Sequence, residues 1–105
     1  MTLNYSFFMM TKSKRYRTKL LLYLYEYRGN KCEKCGLQND TLGFYDFHHI
    51  EPANKSFGIG AQIGRIKKAE LLKEVDKCLM LCPNCHRLEH LNMRFNELME
   101  KADAE

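Results

Sequence analysis

The segment Leu81-Cys82-Pro83-Asn84-Cys85-His86-Arg87-Leu88-Glu89-His90 gathers two thiols and two imidazoles. Cys82 and Cys85, with two residues between them, can grip one metal ion from a tight turn. His86 and His90, at i and i+4, share one face of a helix about a turn apart. One short segment can therefore serve two metals, one through sulfur and one through nitrogen. Each half has a mate upstream. The thiols have Cys32-Glu33-Lys34-Cys35, and the imidazoles have Asp46-Phe47-His48-His49-Ile50.

Each motif also has a plainer reading. A lone CxxC can be a redox pair, but that expects a βαβ context near the first pair and has no need of the second. Two CxxC pairs make Cys32, Cys35, Cys82 and Cys85 a four-sulfur set for zinc, with Gly36 permitting the tight first turn. Residues 36–81 lie between the pairs, so the intervening chain must fold back to join them. A His-His pair by itself is commonly one core histidine and one surface residue. His86 and His90, spaced behind a zinc knuckle, shift that balance toward a metal site. Neighbours on a regular strand face opposite ways, so His48 and His49 share a site only if the strand ends or bulges there. Pro52 favours an end, because it biases Glu51 away from helix. Cys78, the odd cysteine, reads as a small buried hydrophobe.

Size sets the frame for these motifs. A chain of 105 residues is one domain, small enough that a structural metal helps it fold. Five cysteines, an odd number, suit a reducing compartment and a metal better than a disulfide framework. The net charge of +4 is compatible with a polyanionic partner without requiring one. No apolar run is long enough for a membrane span, so no membrane partner is expected. Residues 1–12 read as a flexible leader and not a signal peptide, since the lysines follow the apolar stretch. These features predict a cytoplasmic protein.

The elements that must position the motifs follow from periodicity. Tyr16, Leu20, Tyr23, Leu24 and Tyr27 mark one face of a helix from about Ser13 to Tyr27, ended by Gly29. Its start carries Lys12, Lys14, Arg15, Arg17 and Lys19, a solvated face or a phosphate-contacting one. Residues 42–50 read as an aromatic-rich strand. Residues 51–64 form a glycine-rich, mobile connector that could drape over a ligand. A helix over 65–76 offers Ile66, Ala69, Leu72 and Val75 to the core. Residues 77–81 are the returning strand. A last helix runs from about Asn84 to Lys101, with Leu88, Leu91, Phe95, Leu98 and Ala102 as its apolar stripe.

The assembled order is a CxxC, a strand ending in His-His-Ile, a returning apolar strand, and Cys-Pro-Asn-Cys-His-x-x-x-His opening a helix. Over residues 30–95 this resembles the HNH endonucleases, the ββα-metal (His-Me finger) nucleases, in their four-cysteine zinc variant of phage and bacterial type. The resemblance implies a structural zinc on Cys32, Cys35, Cys82 and Cys85. It implies His49 as general base, His48 and His86 as ligands of a catalytic divalent metal, and His90 as a third ligand or phosphate contact. It places the family's middle residue, an asparagine that orients the base, at position 77. This chain has Lys77 there, and lysine has no amide carbonyl to accept a hydrogen bond. Its backbone carbonyl, Asn54 or Asn84 would have to orient His49, or Lys77 contacts phosphate instead.

The chemistry asked of these residues is phosphodiester hydrolysis. A neutral histidine with a pKa near about 6.5 can take a proton from water at physiological pH. Imidazole ligands favour zinc, nickel, cobalt or manganese, whereas magnesium prefers oxygen; the resemblance still permits magnesium or manganese, so the expected catalytic cofactor is a divalent ion, Mg²⁺, Mn²⁺, Ni²⁺ or Zn²⁺. The expectation is an α+β domain over residues 13–105, a zinc-stapled ββα-metal core with an added N-terminal helix. It would hydrolyse DNA by nicking or double-strand cutting. Lys14, Arg15, Arg17, Lys77 and Arg87 are the candidate nucleic-acid contacts, Arg87 being equally suited to a structural salt bridge. Sharp sequence preference would come from a homodimer or a partner protein. The rival reading is a non-catalytic four-cysteine module that binds nucleic acid or protein.

Overall fold

The computed structural model describes residues 5–104. The expected leader falls partly outside that range; within it, α1 (Tyr5–Phe8) is a single helical turn whose Phe7 ring is buried near the Lys19 ammonium. Helix α2 (Lys12–Tyr27) starts at Thr11, whose side chain accepts a hydrogen bond from the Lys14 N–H. It ends where Gly29 and Asn30 adopt positive φ, a conformation that glycine and asparagine tolerate best.

The buried face of α2 is not the expected one. Leu20 and Leu24 face the core, but they are joined by Tyr25, while Tyr16, Tyr23 and Tyr27 are exposed. For Tyr27 and Tyr23 the reason is a set of contacts at the surface. Tyr27 donates to the Asp76 carboxylate at 2.6 Å and stacks on Tyr23, over which the Lys68 ammonium sits 3.6 Å from the ring centroid. Tyr25 finds its partner inside, accepting from the Gly43 N–H at 3.0 Å.

The sheet has two antiparallel strands, β1 (Asp46–His49) and β2 (Cys78–Leu81), paired Asp46 with Leu81 through His49 with Cys78. The first strand is shorter than residues 42–50. Gly43 has φ +84° and the Phe44 N–H closes a turn on the Thr41 carbonyl, so residues 41–44 bend away before pairing begins. The ladder runs one residue to one through His49, with no bulge. Cys78, Met80 and Leu81 of β2 are all fully buried and link three apolar clusters.

The connector is partly structured. A 3₁₀ turn at Pro52–Asn54 and the short helix α3 (Ile59–Gln62) fold it onto the core, with Ile59 buried. Helix α4 (Lys68–Val75) is shorter than residues 65–76, with Lys67 as its N-cap. Of the expected core positions Val75 is buried, Ile66 and Leu72 pack half-buried against the same cluster, and Ala69 is exposed; the other fully buried positions are Leu71 and Glu74. The inward stripe runs through i, i+3 and i+4 and contains a glutamate, which hides it from a hydrophobicity pattern.

Helix α5 (Pro83–Ala104) begins with proline at its first position, where no N–H is needed. Only its start touches the sheet. Leu88, Leu91, Phe95 and Leu98 are exposed, so the expected apolar stripe is not part of this domain's core.

Candidate active site and metal centres

The sulfur centre joins the two knuckles. Cys32, Cys35, Cys82 and Cys85 bring their Sγ atoms within 4.8 Å of one another. Local turns build each half. Gly36, at φ +77°, donates to the Cys32 carbonyl at 2.9 Å, and the Cys35 N–H points at Cys32 Sγ. The second knuckle repeats this, with the Cys85 N–H on Cys82 Sγ and the His86 N–H on the Cys82 carbonyl. Glu33 ties the first knuckle to β2: its N–H donates to the Met80 carbonyl and its carboxylate accepts from the Met80 N–H. Arg28 holds the same carboxylate at 2.7 Å.

The donor set fits zinc. Cys35 and Cys82 Sγ stand 3.7 Å apart, and a tetrahedron with Zn–S bonds of about 2.3 Å has edges of about 3.8 Å. Burial pushes the Cys32 thiol up, but N–H groups of Cys35, Cys82 and Lys34 more than offset it and bring it down to about 6. Contact with Cys82, then burial and the other thiols, pushes Cys85 up to about 12. Four crowded sulfurs cannot all ionise without a cation among them. Cys78 stays apart, fully buried, with burial pushing its thiol up to about 11.

The nitrogen centre lies one residue beyond. His48 on β1 and His86 and His90 on α5 place ring nitrogens within 4.8 Å of one another. His86 and His90 approach through their Nε2 atoms at 2.9 Å, as their spacing on one helix face allows. The other nitrogen of His86, Nδ1, lies 3.0 Å from the Asp46 carboxylate. That contact places the proton on Nδ1 and turns the Nε2 lone pair toward the cluster. Burial, followed by the charges of His86 and His90, lowers the pKa of His48 and favours the neutral, ligating form. Three imidazoles with open space beside them suit a divalent ion that keeps a free coordination position.

His49 takes the opposite face of β1, as strand geometry requires. Its Nε2 lies 2.7 Å from Glu74 Oε2, an acceptor brought in by α4. Yet His48, His49, His86 and His90 all line one cavity of about 360 Å³, together with Phe47, Pro52, Lys55 and Met93. The strand ends at His49, as expected ahead of Pro52, and does so without a bulge; the two rings reach the cavity from opposite faces of that end.

The residues expected at nucleic acid are dispersed. Lys14 and Arg87 are exposed, and Arg15 and Arg17 are half-buried on α2. Arg17 lies against Gly64, where its Cγ would be 2.5 Å from any added Cβ. Lys77 turns inward, its Nζ donating to Glu74 Oε1 at 2.8 Å, Asn54 carbonyl at 2.9 Å and Ser56 Oγ at 3.1 Å. All three ammonium hydrogens have protein partners. The Lys77 backbone carbonyl accepts from the Ile50 N–H, extending the ladder instead of orienting His49. Asn54 contributes its backbone to Lys77, and the His49 ring is held by Glu74, not by Asn54 or Asn84.

The chain is similar to a restriction enzyme. It is 32% identical over 74 residues, 66% of its length, to the type IV methyl-directed restriction enzyme EcoKMcrA of Escherichia coli K12. It spans only 22% of that protein's length. No family model matches the chain, and no solved structure matches it. Among the described residues no helix is long and apolar enough to cross a membrane.

Two residues of the site escaped the sequence reading. Asp46 stood inside the quoted Asp46-Phe47-His48-His49-Ile50 segment, and its place two residues before His48, on the same strand face, was an available signal. Glu74 had none: an acidic residue in a charged helix looks solvent-facing, and only the packing of α4 buries it.

Proposed function

We propose that the chain is a metal-dependent HNH endonuclease that hydrolyses DNA phosphodiester bonds with His49 as general base. One observation carries this reading: three metal-competent imidazoles and a fourth, carboxylate-bound imidazole line the same cavity. A non-catalytic zinc module would use the four cysteines equally well but has no need of that cavity. The nuclease domain is residues 13–105, with its core near 30–95. Similarity to a restriction enzyme supports DNA as the partner.

A divalent ion on His48, His86 and His90 would, when bound, polarise the phosphate and its departing 3′ oxygen. The chain's own residues do the rest. Asp46 holds His86 in the ligating tautomer. Glu74 occupies His49 Nε2, so Nδ1 is the nitrogen left to accept the proton from the attacking water. Lys55 stands at the cavity wall, where an ammonium can meet a phosphate oxygen. Lys14, Arg15, Arg17 and Arg87 hold the DNA backbone to either side. The products are 5′-phosphate and 3′-hydroxyl ends, as the family resemblance implies. The sulfur centre would tie the Cys32–Cys35 knuckle to the start of α5 through a structural zinc.

The test is cleavage of supercoiled plasmid in Mg²⁺, Mn²⁺, Ni²⁺ or Zn²⁺, with a chelator control. The parent should nick or cut only with metal. His49→Ala should lower the rate by about 10²–10⁴-fold while keeping its zinc and fold. Binding of DNA without cleavage in any metal would overturn the nuclease reading in favour of the zinc module.

A further inference from the structure

We infer that Glu74, clamped by Lys77, is the positioning residue for His49 and replaces the amide that the HNH pattern expects at position 77. The inference rests on the nuclease reading for its catalytic consequence, but its structural content stands on contacts alone. Glu74 is 2% exposed, the deepest carboxylate among the described residues. A buried charge of this kind is strongly destabilising unless fully partnered. Each oxygen is partnered here. Oε2 receives His49 Nε2 at 2.7 Å and the Ser56 N–H at 3.0 Å, and Oε1 receives Lys77 Nζ at 2.8 Å.

The arrangement restores acceptor chemistry by an indirect route. A lysine at 77 has only donors, so it cannot hold a histidine N–H. It can hold a carboxylate, and the carboxylate then holds the histidine. The side chain at 74 comes from the preceding helix, one turn before Lys77, so a change of residue at 77 recruits a group three positions upstream. The Lys77 hydrogen bond, opposed by burial and helped by Ser56 and His49, lowers the Glu74 carboxyl to about 2. An ionised Glu74 accepts and does not donate, which requires the proton of neutral His49 to sit on Nε2. Nδ1 is then the basic nitrogen.

Lys77 has a second effect. Through the Asn54 carbonyl and Ser56 Oγ it fastens the connector that carries Pro52 and Lys55 to the same carboxylate. The wall of the cavity and the orientation of the base therefore share one anchor.

The experiment has two readouts on zinc-loaded protein. The first is ¹⁵N-imidazole NMR of the parent and of Glu74→Ala, which needs no activity. The parent should show His49 as the Nε2–H tautomer, and Glu74→Ala should show a tautomer mixture. The second is plasmid cleavage by the parent, Glu74→Ala and Glu74→Gln. Glu74→Ala should lose about 10²-fold in kcat, the scale of a misplaced catalytic group, with KM for plasmid unchanged. Glu74→Gln, whose amide oxygen can still accept from Nε2–H, should recover most of that loss. A parent His49 in the Nδ1–H form, or Glu74→Ala cleaving at the parent's kcat, overturns the inference and leaves the nuclease reading intact. A parent that binds DNA but never cleaves it overturns the nuclease reading and the catalytic role of Glu74 with it. The NMR arm then still decides whether Glu74 sets the tautomer. Should Glu74→Ala fail to fold, the parent spectrum and Glu74→Gln decide the matter alone.

Discussion

The sulfur and nitrogen centres both use the start of α5, and they are built in opposite ways. Each half of the sulfur centre is a local turn, made by two cysteines, a knuckle backbone and N–H groups aimed at sulfur. It offers four donors and closes on itself, with Cys32 and Cys82 buried. The nitrogen centre draws on a strand and a helix far apart in sequence. It offers three donors, opens into a cavity, and depends on carboxylates outside the donor set. Four closed ligands suit a structural zinc, and three ligands with an open position suit a metal that meets substrate. On the proposed reading, the same five residues, Cys82 to His86, belong to a staple and to a reactive site.

If that division is right, substitutions on the two sides must fail differently. The largest effect is expected at sulfur. Structural zinc contributes on the order of 10–16 kcal/mol in small zinc domains, comparable to or larger than the whole stability of a typical fold. Cys82→Ser should therefore lose both the tightly held zinc and cooperative unfolding, measured by metal analysis and denaturant titration. His86→Ala should keep both and lose only plasmid cleavage. A Cys82→Ser protein that is folded and zinc-replete would erase the contrast.

A smaller effect is expected one step outside the nitrogen donors. Asp46→Asn should weaken catalytic-metal affinity or activity by about 10–100-fold, because a ligand histidine loses the carboxylate that sets its tautomer. Metal titration of the zinc-loaded protein reads this, and an unchanged affinity would make Asp46 a surface ion pair. The smallest effect is on binding. Replacing Lys14 and Arg17 with glutamine should reduce the slope of log K against log salt by about 2 for duplex DNA if both touch phosphate. An unchanged slope would place α2 away from the DNA and leave the nitrogen centre's own surroundings to hold it.

Much of the framework was legible from residue types and spacing. The CxxC pairs, the i, i+4 imidazoles and the returning apolar run name their elements because each signal is local or periodic. The errors have a common cause. Tyr16, Tyr23 and Tyr27 kept the right helical period yet sit outside, where Tyr27 satisfies its hydroxyl on Asp76 and its ring on Tyr23. The α5 stripe has the period of a core face with no core above it. Residues 42–44 have strand composition but belong to a turn that Gly43 makes possible.

The sequence by itself determined the two donor sets, the order of strand, strand and helix that could assemble them, and the anomaly at position 77. Covalent spacing is enough for that, because a CxxC turn and a one-turn helical pair bring their own atoms together wherever they fold. Only the tertiary structure decided what surrounds those donors. It turned His48 and His49 to opposite faces at the end of β1 and still opened both onto one cavity. It drew Lys77 inward and buried Glu74 beneath His49. The Glu74–Lys77 pair is local, but its burial against His49 joins separate elements, and that depends on desolvation and geometry that no local pattern encodes.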